Sequence, residues 1–159
     1  MTLRTDYADF LQARLNSRIV GLQAAFAALV ADPPAIENNV EIIIFPDDGL
    51  THHVPIRVFA FTPKGTEQPE ESGIDQCNSM LDTMVPLITE KEASQFQTWE
   101  GEGDSRMLTL EQPTDGIDEE VLRSWVANTW LELDIGDYGS RTSVTIHDGD
   151  TEVISIPLQ

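Results

Sequence analysis

The chain has 159 residues, 40% hydrophobic and 23% charged, with 9 Lys+Arg against 28 Asp+Glu for a net charge of −19. The hydrophobic and charged fractions are ordinary for a globular protein and exclude wholesale disorder, and no apolar run approaches the roughly 20 residues of a membrane-spanning helix. The surplus of negative charge repels nucleic-acid phosphates and anionic lipid headgroups, so neither a nucleic acid nor a membrane is an expected partner.

Residues 1–10, MTLRTDYADF, lack a basic start followed by an apolar block, so no secretory signal is read and a cytoplasmic, bacterial-like protein is expected. Over 6–31, Leu11, Leu15, Ile19, Leu22, Phe26 and Leu29 recur at spacings of four and three, which predicts one long amphipathic helix. Thr5 is placed to cap it, Asp6 and Asp9 suit the positive end of its dipole, and Asp32-Pro33-Pro34 stops it. At 1.5 Å per residue it would span about 39 Å. A helix of that length crosses a domain or packs on a second copy; a core role is preferred, and a homodimer is the alternative.

Strands are expected over 40–45 and 56–61, joined by the turn Pro46-Asp47-Asp48-Gly49, with Pro55 disturbing the start of the second. The first carries apolar residues on both faces and reads as a central strand covered on both sides. Residues 63–75 form a polar loop. Cys77, Met80, Leu81, Met84 and Val85 then fall at helical spacing up to Pro86, and Thr89-Glu90-Lys91-Glu92 has the form of a capping box before Ala93, Phe96 and Trp99. An acidic glycine loop at 100–104 precedes a strand expected over 107–111. Asp118-Glu119-Glu120 open a helix with Val121, Leu122, Trp125 and Val126 inside, and Trp130 either on that inner face or at an edge. Residues 142–147, the turn Asp148-Gly149-Asp150 and residues 153–157 make a second hairpin. The order predicts a single α+β domain over 1–159. It combines a mainly antiparallel sheet of about five strands with a long N-terminal helix and two or three further helices.

The polar clusters give little catalytic chemistry. His52 and His53 are adjacent, so on a strand they leave opposite faces and do not close on one ion. The third histidine, His147, stands beside the other Asp-Gly turn. Turn chemistry accounts for Asp47 and Asp48, and neither a metal nor another cofactor is expected. Asp148 to Glu152 begins like a calcium loop, but its sixth and twelfth places hold Val153 and Gln159 instead of Gly and Glu. No nucleophile elbow, dinucleotide fingerprint or phosphate loop is present. Cys77 shares a helical face with Met80, Leu81 and Met84 and reads as a core thiol; as the single cysteine it forms no internal disulfide.

The charge is uneven: residues 1–62 hold four basic and seven acidic side chains, residues 63–159 hold five and 21. The acids gather in loops and helix starts and do not form a ladder on the first helix, which disfavours mimicry of a phosphate backbone. Solubility is the plainer reading of the charge, and the scarcity of lysine (Lys64 and Lys91) suits it. The leading functional expectation is a binding or inhibitory protein, immunity- or antitoxin-like, for a basic partner protein. Trp99 would anchor the contact, and Glu100, Glu102, Asp104, Asp118, Glu119 and Glu120 would steer it. The competing expectations are a metal-dependent enzyme using His52 or His53 with His147, and an oligomerisation module joined through the long helix.

Overall fold

The apolar stripe at the start of the chain folds as two helices, α1 (Leu3–Ser17) and α2 (Ile19–Ala31), in place of the single helix expected over 6–31. The computed structural model describes residues 2–32, 38–45, 50–51, 54–67, 72–84, 86–109, 112, 114–133, 141–147 and 151–154. The break is at Arg18, and a hydroxyl accounts for it. Ser17 Oγ donates to the Arg14 carbonyl at 2.6 Å, the oxygen that Arg18 N–H would take in a continuing helix, and Arg18 N–H turns to the Leu15 carbonyl at 2.9 Å. The start also moves: Thr2, not Thr5, is the N-cap, and its side chain accepts from Thr5 N–H at 3.1 Å. Leu11, Leu15, Leu22, Phe26 and Leu29 are fully buried, so the stripe is taken up inside one chain.

Downstream come β1 (Asn39–Ile44), β2 (Ile56–Phe61), α3 (Ser72–Asp82), α4 (Glu90–Ser94), β3 (Trp99–Glu100), β4 (Met107–Leu108), α5 (Ile117–Glu132), β5 (Arg141–Ile146) and β6 (Thr151–Val153). This is an α+β architecture. The main sheet runs β2-β1-β5-β6; β1 and β5 are parallel and the other neighbours antiparallel. Ile42 sits opposite Val58 on one side and Val144 on the other. The parallel pair needs a long crossover, and α3, α4 and α5 lie within it. Of the strand expected over 107–111, the described residues hold β4, which pairs with β3 in a separate two-stranded ribbon, and residues 110–111 lie outside the described residues. β6 begins at Thr151, ahead of the expected 153, because Thr145 pairs with it there.

Alternation assigns one face of the sheet to the core. Val40, Ile42, Ile44, Ile56, Val58 and Val144 are buried, while Glu41, Ile43, Phe59, Phe61, Ser143 and Thr145 on the opposite face are only partly covered. The expectation that both faces of β1 are covered is therefore corrected. The helices lie on one side, α3 against β2 and α5 against β1 and β5, with α2 packed on α3 and α5. Gly73 sets how closely α2 and α3 approach: a Cβ there would stand 2.0 Å from the Asp32 carbonyl oxygen. Trp130, which the spacing leaves between the inner face and an edge, is fully buried and meets Phe26 edge-on at 5.4 Å. Because α5 is walled by helices and sheet, its buried arc runs through Leu122, Trp125, Val126, Thr129 and Trp130, wider than one stripe.

The edge of β2 is plugged by a side chain. The Asn78 amide accepts from Val58 N–H at 2.9 Å and donates to the Val58 carbonyl at 3.0 Å, so α3 imitates a neighbouring strand at one position. Arg57 reinforces it, donating to the Asn78 carbonyl at 3.2 Å and pairing with Asp82 at 2.6 Å. The Thr89 capping box forms in full and starts α4. No helix among the described residues is long and apolar enough to cross a membrane. The turns at 46–49 and 148–150, with Asp47, Asp48, His52 and His53, lie outside the described residues.

Candidate functional site

Two neighbouring features stand out, an exposed ribbon and a polar pocket beside its root. The chain leaves α4 through Phe96, whose ring is buried 5.0 Å from Tyr7 and 5.3 Å from Phe10, so the ribbon is rooted on α1. Gln112 then locks its base. Its side-chain oxygen accepts from Thr98 N–H at 3.0 Å, and its amide nitrogen donates to the Thr109 carbonyl at 2.7 Å and the Thr98 carbonyl at 3.2 Å. The hydroxyls of Thr98 and Thr109 bond each other, and Thr109 N–H reaches the Thr98 carbonyl at 3.0 Å. Gly101 and Gly103 supply the positive φ angles, 88° and 59°, that reverse the chain at the tip.

On this locked base the apolar side chains point outward. Trp99 is 43% exposed, Leu108 47% and Met107 71%. Trp99 and Leu108 are cross-strand partners and share one face, and the Glu100–Met107 pair occupies the other. Arg106 joins the Trp99 face, with its guanidinium carbon 4.4 Å from the ring centroid. Glu100, Glu102 and Asp104 are exposed around the tip. The patch is not purely acidic, because Arg106, which sequence reasoning missed, stands in its middle.

Of the three acids expected on α5, only Glu120 is fully exposed and Glu119 is half-buried. Asp118 turns inward, where Tyr7 Oη donates to its Oδ1. These two side chains line a cavity of about 180 Å³ together with Leu50, Thr51, Ile88, Ala93, Gln97 and Thr114. Gln97 stands two residues before Trp99, so the pocket adjoins the ribbon's root. Burial raises the Asp118 carboxyl above its ordinary range, as do Glu119 and Asp115, while the Tyr7 hydrogen bond opposes the shift. Burial, and then the Asp118 charge, push the Tyr7 phenol strongly upward.

Three ties position this pair. Arg4 Nη1 donates to the Asp115 carbonyl at 2.7 Å, fastening α1 to the turn before α5. Arg14 pairs with Glu92 and donates to the Leu87 carbonyl at 3.2 Å, fastening α1 to α4. Leu50 O accepts from Leu87 N–H at 3.2 Å and Ile88 N–H at 3.3 Å, holding the loop wall. Spacing carries a signal for both pocket residues: Tyr7 leads Leu11 and Leu15 by four and eight positions, and Asp118 leads Leu122 and Trp125 by four and seven. Both therefore belong to inward faces.

The other candidates read from the sequence sit elsewhere. His147 is exposed at the end of β5, its ring 5.1 Å from Phe45 and its N–H on the Ile44 carbonyl at 2.8 Å. Among the described residues no group of three or more His, Cys, Asp or Glu is placed to hold a metal ion. Cys77 is fully buried and its thiol is pushed up to about 12, which holds it protonated and unreactive at neutral pH. A larger polar cleft of about 340 Å³ is lined by Arg57, Asp75, Asn78, Ser79 and Asp82, and it contains the Asn78 plug of the β2 edge. No protein-family model, curated protein or solved structure matches this chain.

Proposed function

We propose that this chain is a non-enzymatic binding protein that docks a basic protein partner on the β3–β4 ribbon, an inhibitor of the immunity- or antitoxin-like kind acting in the cytoplasm. The observation that carries the reading is the exposure of Trp99, Met107 and Leu108 on a ribbon whose base is fixed by Gln112. Covering a large apolar side chain is worth about 1.5–3 kcal/mol, and the fold leaves these three open to water. Tryptophan is among the residues that dominate binding energy at contacts of this type. Arg106, laid over the ring, limits the freedom that Trp99 has to lose on binding. Glu100, Glu102 and Asp104 form a negative rim, and the net charge of −19 extends that field over the molecule. Such a field speeds encounter with a cationic surface and weakens as salt rises.

The test is capture from a bacterial lysate by the immobilised chain and by a Trp99→Ala/Leu108→Ala variant, at low and high salt. A basic protein retained by the natural chain, reduced at high salt and lost from the variant is the expected result. Equal retention by both chains would overturn the ribbon as the docking surface.

A further inference from the structure

We propose that the cavity between α1, α4 and the start of α5 is a receptor for a primary ammonium carried on an unbranched alkyl arm, as in a lysine side chain or a free polyamine. Its polar groups are half used. Tyr7 occupies one oxygen of Asp118, and the carboxyl makes no other hydrogen bond among the described residues. Thr51, Gln97 and Thr114 line the same cavity and make no side-chain hydrogen bond among the described residues either. An ammonium has three donors and no acceptor. It matches the second Asp118 oxygen plus two of these three neutral acceptors.

A guanidinium fits less well. Its planar fork is satisfied by both oxygens of a carboxylate, and the Tyr7 hydroxyl already holds one of them. Among the described residues the remaining wall is apolar, with Leu50, Ile88 and Ala93 providing the surface along which methylenes would lie. A volume of about 180 Å³ is the liquid share of about six waters, enough for the five heavy atoms of an aminobutyl group. The electrostatics favour a cation despite the helix end. The N-terminal half-charge of α5 is about +0.5, against the acids Asp118, Glu119 and Glu120 in its first turn.

The inference stands apart from the ribbon reading, and its test is separate. Backbone-amide NMR of the full chain at neutral pH is followed during titration with n-butylamine, and with n-butanol as the neutral arm of the same length. Expected are saturable shifts at Thr51, Gln97 and Thr114 with the amine and none with the alcohol. Asp118→Asn should weaken the amine at least tenfold. Ala93→Leu, which fills the cavity from α4, should abolish the saturable shifts even if the Asp118 variant is poorly folded. Shifts that are equal for amine and alcohol, or spread without saturation over the acidic surface, would overturn the site.

A second pair of probes assigns the source. Nα-acetyl-lysine amide binding more tightly than spermidine identifies a lysine side chain, and the reverse identifies a free polyamine. Amine binding by the natural chain, when that same chain captures no basic protein at low salt, would leave this pocket standing and remove the docking reading. Capture that depends on Trp99, with no amine shifts, would do the opposite.

Discussion

The inner face of the main sheet and the β3–β4 ribbon are both built from strands with large apolar side chains, and they put them to opposite ends. On the sheet, Val40, Ile42, Ile44, Ile56 and Val58 are removed from water by α3 and α5. On the ribbon, Trp99, Met107 and Leu108 face solvent, and the two-residue strands are held by the polar clamp of Gln112, Thr98 and Thr109. The sheet is stabilised by what it buries. The ribbon is stabilised by hydrogen bonds at its base, which leaves its apolar surface uncommitted. Where a short element keeps its shape without burying its hydrophobic residues, those residues are available for contact.

The comparison is broken most severely on the core side. Leu22 is fully buried on α2, and Leu22→Ala should cost about 2–5 kcal/mol through lost transfer energy and a residual cavity, read as a lower denaturant midpoint at unchanged slope. Next is the sheet edge. Asn78→Ala strands the N–H and carbonyl of Val58 and should cost about 1–3 kcal/mol. It should also increase aggregation on heating, because β2 becomes an open edge.

A smaller effect is set by pH. The Arg14 hydrogen bond, helped by the Thr89 N–H, holds the Glu92 carboxyl at about 2 against an ordinary 4.5. A depressed acid contributes stability that is complete above its unfolded value and lost as pH falls from about 4.5 toward 2. For a partly solvated pair the contribution is about 1 kcal/mol at most. Glu92→Gln should therefore flatten the acid limb of a stability–pH curve in that window. Asp118 has the opposite sign: its raised carboxyl makes the ionised form costly in the folded state, and that cost is relieved as pH falls. Asp118→Asn should thus be tolerated or stabilising at neutral pH, read as an equal or higher denaturant midpoint.

How much of this was legible in the sequence follows the range of the interactions. The inward burial of Leu11, Leu15, Leu22, Phe26 and Leu29, the antiparallel pairing of β1 with β2 and the Thr89 capping box follow from local patterns, and the structure contains them. The break at Arg18 is local too but rests on a single hydroxyl, Ser17, that a periodicity cannot weigh. The parallel pairing of β1 with β5 joins distant segments through a crossover, which alternation within each strand does not specify. The ribbon is half visible: Trp99 beside the acidic glycine loop at 100–104 is legible as an exposed aromatic. Its strands are too short to show a period, and Gln112 acts across 14 positions. Asp118 was read as an exposed helix-start acid, although its spacing to Leu122 and Trp125 places it on the inner face.

The smallest effect on stability should come from the ribbon itself. Trp99→Ala/Leu108→Ala removes two large side chains exposed at 43% and 47%, and folding stability should stay within about 0.5 kcal/mol of the natural chain. The most direct measurement of the central claim is the retention of a basic protein partner by that variant relative to the natural chain, at low salt and equal folded concentration. The account predicts retention reduced to background while the melting temperature is preserved. Undiminished retention would contradict it.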